Sequence, residues 1–224
     1  MALVKEFEHL KISLDVIKLA TNSFGSDHFI GVGGFGKVYK GEIPDRDGRP
    51  ITVAIKQLDR KHGQGGHEFL TEIMMLADEE ILVYKYELNG SLEKYLNSNT
   101  LTCVQHLKIC VGAARGLEYL LNPLETQQRV LHRDVKSANV LLDQFWEAKV
   151  SDFGLSRPGP ANQEFLVSRF ECCRNAWYCD PLYAETGILI KESDVYSFGV
   201  VLFEVLLQLY MYLLFMLYSS QGVM

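Results

Sequence analysis

Gly31-Val32-Gly33-Gly34-Phe35-Gly36 runs straight into Lys37-Val38-Tyr39-Lys40-Gly41, and this order constrains the fold more than any other stretch of the chain. A glycine run that opens a dinucleotide-binding fold leads into a helix. Here a strand and a turn follow. The spacing from Gly31 to Lys37 nearly fits a Walker A loop, but that loop needs Ser or Thr after its lysine to hold magnesium, and Val38 cannot do so. What remains is a glycine-rich hairpin. Its backbone N–H groups can approach phosphates because no side chains stand in the way. Taken alone, the same residues also fit a plain flexible hairpin.

The surrounding texture is β-rich. Val53-Ala54-Ile55-Lys56 reads as a strand ending in a lysine, and Pro44 to Pro50 reads as the turn before it. His67 to Leu76 has helical spacing, with Phe69, Glu72, Ile73 and Leu76 on one face. A carboxylate on that inward face should seek a cation. Lys56 is the nearest candidate for Glu72, and Glu68 is the alternative partner. Ile81 to Tyr86 reads as a strand, broken at Asn89-Gly90.

Past that break the pattern turns helical. Cys103, Leu107, Cys110, Ala114, Leu117 and Leu121 recur at spacings of three and four, which predicts a helix burying that face. Val130 to Phe153 reads as short strands and loops, Pro158 to Asp180 as irregular, and Asp194 onward as apolar helix. Near the start, Ser13 is placed to cap a short helix carrying Leu14, Ile17 and Thr21 on one face. A β-rich first third before a helical remainder predicts two lobes with a cleft between them.

Composition narrows the function classes. Of 224 residues, 48% are apolar and 22% charged, values that support a packed core rather than disorder. The net charge of −6 argues against a general nucleic-acid binder. Five cysteines without Cys-x-x-Cys spacing argue against a zinc site or disulfide framework, and reduced thiols are the expectation. Residues 1–11 lack an apolar core of signal-peptide length.

His132-Arg133-Asp134-Val135-Lys136-Ser137-Ala138-Asn139 is the most specific stretch, and Asp152-Phe153-Gly154 follows thirteen residues beyond Asn139. Glycine loop, strand lysine, helix glutamate, His-Arg-Asp loop and Asp-Phe-Gly, in that order, resemble a eukaryotic protein kinase domain. Lys11-Ile12-Ser13-Leu14, Ala20-Thr21-Asn22-Ser23-Phe24 and Ser193 to Val201 are similar to plant receptor-like kinases, most of all the FERONIA-like, malectin-ectodomain group.

The resemblance implies an α+β, two-lobed protein-kinase-like fold that transfers phosphate from ATP, with Mg²⁺, to Ser or Thr of protein substrates. Asp134 would take or orient the substrate hydroxyl proton. Asp152 and Asn139 would hold metal. Lys56, fixed by Glu72, would contact the α and β phosphates, and Lys136 would steady the γ-phosphate, which argues against tyrosine specificity. ATP would be lined by Ile30, Gly31, Val32, Gly33, Gly34, Phe35, Gly36, Val38, Ala54, Tyr84, Lys85, Glu87 and Leu141. Arg133 implies control by phosphorylation of the following segment, with Ser156 and Ser168 as candidates, and Asp194 would anchor the catalytic loop.

Three departures from that pattern stand out. Only Ile73 to Glu80 separates Glu72 from the next strand, where the family has a further strand and loop. Arg174-Asn175-Ala176-Trp177-Tyr178 replaces the family's Gly-Thr-x-Gly-Tyr, and Leu182 follows Asp180-Pro181 in place of Glu. Finally, Phe198 to Tyr218 carries only Glu204 and Gln208 as clearly polar residues, enough apolar length to span a bilayer; the resemblance implies instead, for residues 194–207, the family's buried central helix, apolar all round, and leaves the tail as a membrane anchor or an exposed apolar patch. The expected organisation is a lead-in at 1–24, a shortened N-lobe at 25–88, an incomplete C-lobe at 89–207 and an apolar tail at 208–224. The expected partners are a protein substrate and an upstream receptor or kinase. The expected place is the cytoplasm, or a membrane through the tail. The rival expectation is a catalytically weak nucleotide-binding decoy or scaffold.

Overall fold

The computed structural model describes residues 12–33, 36–45, 47–58, 81–98, 100–122, 128–160, 165–167 and 176–220. The chain divides into two compact units, Met1–Tyr86 and Glu87–Met224.

Among the described residues of the first unit, α1 (Leu14–Ala20) comes first. Ser13 caps it by accepting from the Val16 amide, and Thr21 closes it, donating its hydroxyl to the Ile17 carbonyl at 2.8 Å. β1 (Phe29–Gly33), β2 (Gly36–Pro44), β3 (Pro50–Leu58) and β4 (Ile81–Lys85) form one antiparallel sheet in that order. Between β2 and β3 the Asp45 carboxylate accepts from the amides of Asp47 and Arg49, each at 2.8 Å, so the turn is held by its own aspartate. Alternation along β2 and β3 sends Tyr39, Ile43, Val53 and Ile55 to one face, where they pack with Ile17 of α1. The Phe24 and Phe29 rings meet Tyr39 edge-on at 5.3 and 5.9 Å. The helix expected at His67 to Leu76 lies outside the described residues.

In the second unit, β5 (Gly90–Ser91) precedes α2 (Cys103–Leu121), which begins with a capping box between Thr102 and Gln105. Then come β6 (Gln128–Leu131), β7 (Val140–Leu142), β8 (Ala148–Val150), β9 (Arg157–Pro160), β10 (Phe165–Val167), α3 (Pro181–Thr186), β11 (Ile188–Ile190) and α4 (Lys191–Ser220). β5, β7 and β8 form one small sheet, β6 pairs with β9, and β10 pairs with β11. The stretch expected to be irregular therefore contains two paired strands. The core joins Ile109, Ala113 and Leu117 of α2 to Leu131, Val140, Leu142, Tyr183, Leu189 and to Val201 and Val205 of α4.

The face that α2 buries differs from the expected one. His106, Ile109, Cys110, Ala113, Leu117 and Leu121 are buried, while Leu107 is exposed. The helix turns this way because Gly112 and Gly116 lie against β8, where an added Cβ would stand 3.2 Å from Ala148 and 3.0 Å from Val150. Cys103 and Cys110 are free thiols, as expected, but Cys179 is disulfide-bonded. α4 continues unbroken through residue 208.

Candidate active site

In the first unit, strand register gathers the residues expected at the nucleotide. Val38 pairs with Lys56 and Lys40 with Ala54 across β2–β3, and Lys56 pairs with Leu82 and Ala54 with Tyr84 across β3–β4. Opposed residues share a face of the sheet. Val38, Ala54, Lys56 and Tyr84 therefore lie together on the face turned away from Tyr39, Val53 and Ile55. Lys56 is buried to 7% exposure, which requires compensation for its charge. Glu72 and Glu68, its expected partners, lie outside the described residues, as do Gly34 and Phe35. Ile30 and Val32 are exposed, and Gly31 has open space where a Cβ would stand. Gly33 pairs with Gly36 at the hairpin end. Gly36 is different from Gly31: its φ is +151°, and a Cβ would fall 2.0 Å from the Gln57 carbonyl oxygen. Only glycine permits β2 to start there. Lys85 is exposed, and Glu87, at the start of the second unit, is half-buried.

The second unit holds the His-Arg-Asp loop. Arg133 takes a left-handed backbone, φ +69°, which turns the chain so that the amides of His132 and Arg133 both donate to the Asp194 carboxylate, at 2.6 and 2.7 Å. Burial pushes the Asp194 carboxyl above its usual range, and those two amides pull it back. The His132 ring accepts from the Asp134 amide at Nδ1, 3.3 Å, and meets the Ser151 carbonyl through Nε2 at 2.9 Å. This pair of contacts fits the Nε2–H tautomer. The Phe153 ring lies 5.0 Å from the imidazole, centroid to centroid.

Asp134 is the centre of the arrangement. Its Oδ2 accepts from Lys136 Nζ at 2.7 Å and from Asn139 Nδ2 at 3.0 Å, and Asn139 Nδ2 also reaches the Asp134 carbonyl at 2.8 Å. The two donors fix the carboxylate rotamer. Asn139 in turn binds the Asp152 segment: its carbonyl accepts from both the amide and the hydroxyl of Ser151, at 2.9 and 3.0 Å. Asp152 follows with φ +65° and ψ +68°, a left-handed conformation unusual for a non-glycine residue. With the Asn139 amide nitrogen committed, its carboxamide oxygen and the Asp152 carboxylate are the atoms a metal would take. Among the described residues there is no cluster of three or more His, Cys, Asp or Glu. A pair of hard oxygen donors fits Mg²⁺, which binds through one or two protein groups plus phosphates, and does not fit zinc. Leu141 points away from the core that Val140 and Leu142 enter, and is half-buried.

Arg133 donates to the Leu155 carbonyl at 3.1 Å and the Tyr183 hydroxyl at 2.9 Å, and its buried Nε has no partner among the described residues. Of the two serines expected to receive phosphate, Ser156 is buried with its hydroxyl on the His132 carbonyl at 3.3 Å, which removes it as an accessible acceptor. Ser168 lies outside the described residues. Trp177 and Leu182, in the replaced docking segment, are exposed; Arg174 and Asn175 are outside the described residues.

Sequence reasoning missed one group. The Tyr178 hydroxyl donates to Glu204 Oε1 at 2.6 Å and meets the Ser137 hydroxyl at 3.1 Å, and Ser197 donates to the Tyr178 carbonyl at 2.7 Å. Burial, then the Glu204 carboxylate, push the Tyr178 hydroxyl up to about 12. This chain of contacts joins α4 to the residue after Lys136. The only sequence signal for it is a lone carboxylate in an apolar run.

Comparison with known proteins agrees with this picture. The family model for protein tyrosine and serine/threonine kinases matches residues 75–211. The chain is 45% identical over 217 positions to receptor-like protein kinase HERK 1 of Arabidopsis thaliana, covering 88% of this chain and 25% of that protein. It is 45% identical over 210 positions to receptor-like protein kinase FERONIA of the same plant, covering 85% and 23%. It is 43% identical over 211 positions to the probable serine/threonine-protein kinase PBL23, also from Arabidopsis thaliana, covering 84% and 53%. The chain thus spans about a quarter of the length of the receptor-like relatives and about half of PBL23. With the resemblance read from its motifs, the matched model and these relatives in agreement, the chain belongs to the protein tyrosine and serine/threonine kinase family.

Proposed function

We propose that this chain is a serine/threonine protein kinase that moves the γ-phosphoryl group of ATP to a hydroxyl of a protein substrate. The observation that carries the reading is the Asp134 carboxylate, held by Lys136 at 2.7 Å and Asn139 at 3.0 Å. The substrate oxygen attacks the γ-phosphorus, the bond to the β-phosphate oxygen breaks, ADP leaves, and the hydroxyl proton passes to Asp134. Lys136, already charge-paired beside that base, is placed to neutralise the transferred phosphoryl group. Lys56 contacts the α and β phosphates, and Gly31 to Gly36 cover them. Val38, Ala54 and Leu141 line the adenine, with the backbone around Tyr84, Lys85 and Glu87 at its edge. Assigning Lys56 and Asp134 to one nucleotide rests on the family resemblance. Asn139 and Asp152 would hold Mg²⁺, which supplies charge neutralisation to the phosphates when bound.

The wider setting follows from the same likeness. The substrate is a protein, an upstream receptor or kinase is the partner, and the chain works on the cytoplasmic side of a membrane. Arg133 is the group a phosphate on the segment after Asp152 would engage.

A second reading, a nucleotide-binding scaffold with weak transfer, is favoured by the exposed Leu182 where the resemblance implies a glutamate. One experiment separates them. The purified chain is incubated with labelled ATP, Mg²⁺ and a generic protein substrate, beside Asp134→Asn and Asp152→Asn. The kinase reading expects labelling by the parent and a loss of about 10²–10⁴-fold in Asp134→Asn. Nucleotide binding without labelling by the parent supports the scaffold.

A further inference from the structure

Arg133 stands one residue before Asp134 in a left-handed backbone conformation, φ +69°. Such a conformation is costly for a non-glycine residue and lasts only where the surroundings hold it. Asp194 holds the backbone, taking the Arg133 amide at 2.7 Å. The side chain is held separately. Nη1 donates to the Leu155 carbonyl at 3.1 Å and Nη2 to the Tyr183 hydroxyl oxygen at 2.9 Å, with the Tyr183 ring centre 6.0 Å from the guanidinium carbon. Both of these acceptors are neutral. Arg157 opposes the arrangement: burial, and then the Arg133 charge, push its guanidinium below the usual range. Like charges repel, so the place of Arg133 depends on the acceptors that hold it.

Tyr183 is well fixed for that task. It is 2% exposed and belongs to the core of the second unit. The helix that carries it, α3, is secured at both ends. Asp180 caps the start, accepting from the Leu182 amide at 3.0 Å and from the Ser193 hydroxyl at 2.8 Å. Gly187, φ +69°, closes the end, with its amide on the Tyr183 carbonyl at 2.9 Å. Leu155, the other acceptor, lies three residues beyond Asp152. One guanidinium thus ties the Asp134 loop, the Asp152 segment and α3 together through protein groups alone. We propose, resting on the kinase reading above, that Tyr183 is a positioning residue that stands in for phosphate: its hydroxyl holds Arg133, and through it the Asp134 and Asp152 segments, in working register in the unphosphorylated chain. Arg133 Nε, unpartnered among the described residues, is the donor left for a phosphate, which would reinforce this clasp rather than create it.

The full chain is treated with phosphatase, checked by intact mass to be free of phosphate, and mixed with labelled ATP, Mg²⁺ and a generic protein substrate. Transfer should run linearly from the first time points. A lag that tracks uptake of phosphate by the chain itself overturns the proposal, as does transfer by the untreated chain alone. Tyr183→Phe keeps the ring in the core and removes the acceptor. It should lower kcat about tenfold and leave the KM for ATP unchanged, because Arg133 sets the base rather than the nucleotide. Thr186→Ala, which removes a hydroxyl bonded to the Leu182 carbonyl at 2.6 Å on the same helix, should change neither. An unchanged kcat in Tyr183→Phe, or an equal loss in Thr186→Ala, overturns the proposal. Hydrogen exchange supplies a readout that needs no activity. In the phosphate-free chain, Tyr183→Phe should speed exchange at residues 152–157 about tenfold and leave residues 109–117 of α2 as they were. No change at 152–157, or equal acceleration in both segments, overturns the proposal. Local acceleration in a chain whose parent transfers nothing in either state supports the Tyr183 clasp and counts against the kinase reading.

Discussion

Tyr178 is the residue whose chemistry can be read most directly in solution. Its hydroxyl is pushed up to about 12, first by burial and then by Glu204. In the unfolded chain a tyrosine loses its proton near 10, so between those values the folded state binds more protons than the unfolded one. The stability owed to this group is complete below pH ~10 and is lost as pH rises toward 12. Tyr178→Phe should lower stability at neutral pH by about 1 kcal/mol, since Glu204 and Ser137 lose a partner. It should also flatten the alkaline decline. Urea unfolding of parent and variant between about pH 8 and 11 checks both; parallel curves would show that Tyr178 does not ionise differently in the two states. Asp134, Asn139 and Asp152 were legible because their spacing is itself the signal. Tyr178, Ser137 and Glu204 were not, because chain folding alone brings together residues 26 and 41 positions apart.

At the scale of elements, period was read better than phase. The helix at Cys103–Leu121 and the strands at Gly36–Pro44 and Pro50–Leu58 follow from hydrophobic spacing and from an aspartate-held turn. The buried face of α2 was misread, because His106 counts as polar in any apolar pattern yet sits fully buried, with Nδ1 on the Thr102 carbonyl at 3.2 Å. Leu107, counted as core, faces solvent. The glycine hairpin shows a related confusion. Sequence reading gives all its glycines one purpose, access to phosphate, whereas the backbone separates them. Gly36 is required by the β2–β3 pairing, while Gly31 has room for a side chain. Gly36→Ala should therefore destabilise the first unit, by more than the ~1 kcal/mol of a tolerated glycine exchange, and disturb Lys56 on the paired strand. Gly31→Ala should leave stability unchanged and affect nucleotide affinity alone. Thermal unfolding set beside nucleotide titration separates the two effects, and equal destabilisation by both variants would count against the distinction.

For the whole molecule, the consequence of the sequence's change in texture is two separate cores. Ile17, Tyr39, Ile43, Val53 and Ile55 form one, and Ile109, Ala113, Leu117, Leu131, Leu142 and Val201 belong to the other. Among the described residues, the two clusters have no member in common. Cooperativity arises where side chains pack on one another, so each core should define its own unfolding unit. Ile55 and Ile109 are almost wholly buried, and truncating either to alanine should cost about 2–5 kcal/mol. Ile55→Ala should lower the unfolding midpoint reported by the first unit, and Ile109→Ala that reported by the second, with little crossover. Trp146, which stacks edge-on against Tyr95 at 5.1 Å, and Trp177 both lie in the second unit, so tryptophan fluorescence follows that unit alone. Far-ultraviolet circular dichroism follows both. Ile55→Ala should move the dichroism transition and leave the fluorescence transition in place, while Ile109→Ala should move both. If Ile55→Ala instead shifts the two signals together, the units melt as one body and the independence of their cores is wrong.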